Sequence, residues 1–275
     1  MPLLKRVENR LLNCSTLLST GDKLTLIKSV FSSLPIYFMC SLQIPITVVN
    51  QLHSYFRNCF WRKYGSQDRG AILIAWNTAC QPKANGGLGI LNIEVHNKAL
   101  LLKQVHKFLN KENIPWVNIV WESYYQTSLP GERMVGSFWW RTMLKLLPLY
   151  KAFVVSFAHS GNTTLFWSDC WWDQPLQNKF PELSSFRNNN TVSLQQILNT
   201  EDLATHFHTP LSQQAFLQFN TLQECLQERS EMQGNDRWSI IGYSRGYSSI
   251  QMYAHMMRPS KVNSLFQDIW KSACR

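Results

Sequence analysis

Acidic side chains are scarce at the start of this sequence: the first 111 residues hold only Glu8, Asp22, Asp68 and Glu94, against 14 Lys and Arg. From residue 112 onward 13 basic residues meet 13 acidic ones, so the net charge of +10 lies entirely in the first two-fifths of the chain. An excess confined in this way points to an anionic partner there, with RNA or DNA first among candidates. A C-x-x-C pair is also missing. Seven scattered cysteines read as free thiols, which excludes a disulfide scaffold and suits an intracellular protein of nucleus or cytoplasm; no signal peptide is recognised. There is no G-x-S-x-G elbow and no Walker loop. Converging carboxylates are scarce too. Glu201-Asp202 is the lone adjacent acidic pair, and Asp169 and Asp173 flank Trp171-Trp172 before a proline, so turn or capping roles are expected of all four. His206-Phe207-His208 has no cysteine at ligand spacing, so no zinc and no other cofactor is expected.

Long apolar runs are absent in a useful sense. Ser29 to Phe56 carries no Asp, Glu, Lys or Arg and is long enough for a bilayer, but Pro35 and Pro45 interrupt it and Ser32, Ser33, Gln43 and Asn50 are polar. A membrane anchor is therefore the weaker reading of this stretch.

What is present is helical periodicity. Leu4, Val7, Leu11, Cys14 and Leu18 step by three and four. Ser19-Thr20-Gly21 then caps DKLTLIKSVFSSL, which Pro35 stops, and Pro45 opens a helix whose apolar face is Val48, Val49, Leu52, Phe56, Cys59 and Phe60. Gln81-Pro82-Lys83 and Asn85-Gly86-Gly87 make a tight turn. Asn92 caps the following helix, along which Lys103, Lys107 and Lys111 recur every four residues, with His96 on the same face. Pro115 begins a helix with Trp116, Val120 and Tyr124 on one side, and Ser137 caps another that Pro148 ends. Two β-hairpins are expected, one from Ala152–Phe157 and Thr163–Trp167, the other from Asp236-x-Trp238 and the Gly242–Gly246 turn. A longer helix starts at Thr209-Pro210, with Leu211, Ala215, Phe219, Leu222 and Leu226 inward, and a last one runs from Ser249 to Met257.

The string Trp76, Cys80, Pro82, Lys83, Gly86, Gly87, Leu88, Gly89, Ile90, continued by Asn97, Ala99, Leu100, Leu101 and Lys103, resembles a signature downstream of the palm in plant LINE-type non-LTR retrotransposon reverse transcriptases. Gly21 to Tyr37 and Arg57 to Trp61 resemble the thumb of the same polymerases. Gly161 to Leu183 matches a later stretch, through its Gly-Asn, Phe-Trp-x-Asp and Trp-x-x-x-Pro-Leu spacings. The resemblance implies a grip on a template–primer duplex and, through Ile269-Trp270-Lys271-Ser272, the start of a reverse-transcriptase zinc-binding module whose ligands would lie beyond Arg275. The aromatic-x-Asp-Asp motif of the family's palm is not in the chain, so no enzymatic activity is expected.

Together these readings give a mainly α protein, a thumb-like helical bundle followed by a Trp-rich α+β region with small β-hairpins. The expected parts are residues 1–111 (basic), 112–235 (helical and Trp-rich) and 236–275 (the truncated module). Expected nucleic-acid contacts are Arg57, Arg62, Lys63, Lys83, Lys98, Lys103, Lys107 and Lys111, because phosphate binding needs exposed cations at regular spacing. Non-specific binding of RNA or DNA is the leading function, with no small-molecule substrate expected. A helical scaffold for an acidic protein, or a membrane-anchored helical protein, is the alternative.

Overall fold

Ser19 opens helix α1 (Thr20–Leu26) with a capping box: its hydroxyl accepts from the Asp22 amide while the Asp22 carboxylate accepts from the Ser19 amide. The computed structural model describes residues 4–5, 7–9, 18–61, 74–126, 129–130, 134–227, 234–243 and 246–258. Most of the N-terminal periodic stretch lies outside them, as do Arg62, Lys63 and Ile269 to Ser272. The described residues are mainly helical and carry one two-stranded antiparallel sheet. The chain forms two units, one of Met1–Leu101 with Ser249–Arg275 and one of Leu102–Ser248.

In the first unit α1 runs on as a π turn, Ile27–Phe31, closed by Ser32, whose amide and hydroxyl both donate to the Ile27 carbonyl. A short turn, Ile36–Met39, and α2 (Ile46–Trp61) follow. Val48, Val49, Leu52, Phe56, Cys59 and Phe60 of α2 are all buried, the face its spacing predicts. The uncharged stretch from Ser29 to Phe56 is thus divided among three elements, and no helix among the described residues is long and apolar enough to cross a membrane. Helix α3 (Ile93–Leu109) is capped by the Asn92 side chain, which accepts from the Val95 amide. One turn in, Asn97 is almost fully buried. Its carbonyl accepts from the Ile44 amide at 2.8 Å, and its amide donates to the Met39 and Leu42 carbonyls at 2.9 Å each. An irregular segment can be buried only if such groups find partners, and a single asparagine supplies three.

The second unit begins within α3. Helix α4 (Pro115–Tyr124) buries Val117 and lays Trp121 on Phe108 with ring centroids 4.6 Å apart, while Tyr124 is exposed. Helix α5 (Phe138–Lys151), capped by Ser137, does not stop at Pro148. Pro148 sits in its last turn, where its missing N–H costs one bond while the Pro148 carbonyl still takes the Ala152 amide. The strands correct the hairpin expectation. β1 (Val154–Phe157) pairs antiparallel with β2 (Arg237–Ile240), Val154 opposite Ile240, so each strand comes from a different expected hairpin. Leu165 instead makes a single bridge to Ser193. Between the strands, α6 (Gln213–Gln227) starts after Ser212, whose hydroxyl accepts from the Ala215 amide, and not at Pro210; only Ala215 and Leu222 of its expected inward face are fully buried.

The Asp236 carboxylate ties this unit together. It accepts the amides of His159, Gly161 and Thr163 and the hydroxyls of Thr163 and Thr164, at 2.7 to 3.1 Å. The Trp238 indole donates to the same Thr163 hydroxyl. Helix α7 (Ser249–Met256) belongs to the first unit, where Tyr253 accepts the Asn92 amide at 3.0 Å.

His106 is buried against Tyr150, 2.7 Å from its hydroxyl, and burial followed by the charge of Arg237 pushes its pKa down to about 4. The folded protein therefore holds this ring neutral over a range in which the unfolded chain protonates it. The resulting stabilisation is complete above pH 6.5 and is lost as pH falls toward 4, about 3 kcal/mol in all. Urea unfolding between pH 4.5 and 7 is expected to show a shallower pH dependence for His106→Gln than for the unaltered chain; identical slopes would show that His106 is not the group responsible.

Candidate nucleic-acid interface

The glycine-rich loop is the centre of the sequence signature, and its geometry determines what it can offer a ligand. A helical turn, Trp76–Ala79, and a 3₁₀ turn, Lys83–Asn85, lead into it. The amide of Gly86 donates to the Lys83 carbonyl, Gly87 to Pro82, Leu88 to Ala79 and Gly89 to Gln81, at 2.9 to 3.2 Å. All four amides are thus engaged inside the loop, so it forms a clasp and not a nest for phosphate. Gly87 is required by space: a Cβ there would lie 2.0 Å from the Gln81 carbonyl oxygen. Cys80, buried beneath, has its thiol pKa pushed up to about 12 by burial and is unreactive.

Cations gather around this clasp instead. Lys83 is exposed on its 3₁₀ turn. Lys28 reaches it from the π turn, its Nζ 3.6 Å from where a Gly89 Cβ would stand and the Lys83 Cγ 3.9 Å from the same point. Burial first, and the charge of Lys83 second, lower the pKa of Lys28. Lys28 was not among the residues expected from sequence. Its position inside the Gly21–Tyr37 thumb-like segment was the available signal, but only folding brings that segment to the clasp. Arg57 is half-buried on α2 and helps burial depress His53, against an opposing pull from Glu94. Lys98 lies 2.7 Å from Glu94 one helical turn away, both partly exposed. Such a pair contributes only about 0.3–0.5 kcal/mol.

The lysine stripe is divided. Lys103 is exposed and Lys107 half-buried on α3, but both lie in the second unit. Lys111 is not on the helix at all. α3 ends at Leu109, and Lys111 takes a left-handed conformation (φ 46°) while Glu112 donates back to the Lys107 carbonyl. Its ammonium sits 4.4 Å from the centre of the Trp121 ring, and burial lowers its pKa against the pull of Asp236. His96 packs edge-on against Tyr253 with its pKa lowered by burial, so it adds no charge to a phosphate-binding face at neutral pH. Arg62 and Lys63 lie outside the described residues.

Charge divides with the units. The first, Met1–Leu101 with Ser249–Arg275, has 15 Lys and Arg against 5 Asp and Glu, net +10; the second has 12 against 12.

Asp202, His206, Asp169 and Asp173 have structural partners. Asp202 caps the turn Leu203–His206 through the Ala204 amide, and His206 Nε2 lies 3.0 Å from the Thr200 hydroxyl. Asp169 is buried, pairs with Lys151 and accepts the Leu165 amide; burial raises its pKa against the pull of Lys151. Asp173 reaches Lys179 at 3.2 Å. Among the described residues no three His, Cys, Asp or Glu come together as a metal site. Trp140 and Trp167 are core residues, while Trp139, Trp171 and Trp172 are half-buried in aromatic contacts.

Two proteins of Arabidopsis thaliana are similar to the chain. One, named "Putative ribonuclease H protein At1g65750", is 27% identical over 176 residues, which is 62% of this chain and 28% of that protein. The other, named "Uncharacterized mitochondrial protein AtMg00310", is 26% identical over 143 residues, half of this chain and 92% of that protein. The chain thus spans little more than a quarter of the first relative's length. No family model and no solved structure matches it.

Gly87→Ala is expected to cost more than about 3 kcal/mol, since the close neighbour is backbone and cannot rotate away. Gly89→Ala meets only ordinary contacts and should cost about 1–2 kcal/mol for its positive φ. Equal losses in chemical denaturation would show that the clasp is not held by the close approach at Gly87.

Proposed function

We propose that the chain is a non-catalytic piece of a plant non-LTR retrotransposon reverse transcriptase that holds RNA or DNA without sequence preference through its basic unit. The observation that carries this reading is the partition of charge: a unit with net +10 beside a neutral one. Lys28 and Lys83 meeting over the glycine clasp, with Arg57 and Lys98 on the same unit, would supply the phosphate contacts. Phosphate contacts fix position and affinity but carry no sequence information, which suits lysines on turns and helix faces. The similarity to a longer protein whose name includes ribonuclease H supports an origin in a protein that handles nucleic acid.

Binding of the full chain to a fluorescent oligonucleotide should be weak, about 10⁻⁴ to 10⁻⁶ M near physiological salt, and steeply salt-dependent. Replacing Lys28, Arg57 and Lys83 together with glutamine is expected to flatten the log–log salt slope by about two to three units, one for each lost phosphate contact. Replacing Arg141 and Lys145 of the neutral unit should leave the slope unchanged. Equal flattening in both variants would remove the first unit as the site, and no binding to RNA, DNA or hybrid at low salt would overturn the reading.

A further inference from the structure

The second unit contains a cavity of about 490 Å³ that none of the preceding chemistry uses. Helix α5 supplies one wall, because Leu144, Leu147, Pro148 and Lys151 fall on one helical face. Leu144, Leu147 and Trp167 are buried and form an apolar floor. Ser168, Gln177 and Arg187 make a polar rim. The volume is that of a pocket for a small organic molecule, and apolar walls with a few placed polar groups are what such pockets have.

Arg187 gives the pocket its chemical character. Among the described residues its guanidinium has one hydrogen bond, a long one of 3.4 Å to the Gln177 side-chain oxygen, and no carboxylate partner. The other cation on the wall, Lys151, is already paired with the buried Asp169. Arg187 is also held in place by its backbone: the Asn188 amide donates to the His206 carbonyl, the His208 amide to the Phe186 carbonyl, and Arg187 bridges Phe207. The main-chain N–H of Gln177 donates in turn to the Trp167 carbonyl. A guanidinium with unused donors beside an apolar floor is suited to a planar anionic head carried on an apolar body.

We infer that this cavity binds a small amphipathic anion, with an aromatic or branched apolar body against Leu144, Leu147 and Trp167 and one carboxylate or phosphate on Arg187. The site is independent of nucleic-acid binding by the basic unit.

The probe is 1-anilinonaphthalene-8-sulfonate, an aryl body with one anionic head, added to the native full-length chain. Saturable binding of one molecule is expected, and Arg187→Gln should weaken it about tenfold or more, as for loss of a charge-assisted hydrogen bond. Arg187→Lys, which keeps the charge and loses the fork, should fall between the two. Phenyl phosphate and phenylacetate, as competitors, tell which head group is preferred, and displacement by either supports the site. Benzyl alcohol displacing the probe as well as they do, Arg187→Gln binding like the unaltered chain, or no saturable binding to the native chain would each overturn the proposal.

Discussion

Buried polar groups must be satisfied, and two side chains meet that constraint for irregular stretches of this chain. Asp236 takes five donors from Thr164 and the loop 159–163, and Asn97 closes three main-chain bonds with the segment from Met39 to Ile44. Each organises irregular chain that no ladder of helix or sheet could serve. A carboxylate facing five donors is suited to a turn rich in amides and hydroxyls, because it accepts and never donates. An asparagine suits the other place, where one amide and two carbonyls must be met by one group. The small β1–β2 sheet depends on the first of these, since Asp236 directly precedes β2 and anchors the chain that leaves β1.

The same economy of polar groups separates scaffold from interface. The glycine loop closes its amides on carbonyls of its own segment, from Ala79 to Lys83. Two lysines, Lys28 and Lys83, converge over it. Lys111 shows the converse, a cation drawn out of an expected binding stripe by an aromatic ring. The basic character from which nucleic-acid binding is proposed belongs to the first unit as a whole, and the cavity beside Arg187 is a separate chemical feature of the second.

Helices with strong periodicity were legible. The buried face of α2, the Ser19 and Ser137 caps, the Asn92 cap and the Pro115 start all stand where spacing and capping chemistry put them. Pairing of strands was not, because Val154–Phe157 and Arg237–Ile240 are 80 residues apart and each lies near turn residues that mimic a local hairpin. Pro148 misled for a local reason: in a last turn a proline removes only one bond, and the helix passes through it. Charge along the chain named Arg57, Lys83 and Lys98 as candidates, but it could not show that Lys28 meets Lys83, because only folding brings the two segments together.

By itself the sequence determined the helical class, the capped starts and the concentration of positive charge near one end, since each is written in neighbours a few residues apart. Tertiary structure alone decided which strands pair, that Ser249–Met256 rejoins the first unit, that Lys28 meets Lys83, and that Arg187 faces an apolar cavity. Those outcomes depend on contacts between distant segments, where the burial of one group is set by what another part of the chain brings to it.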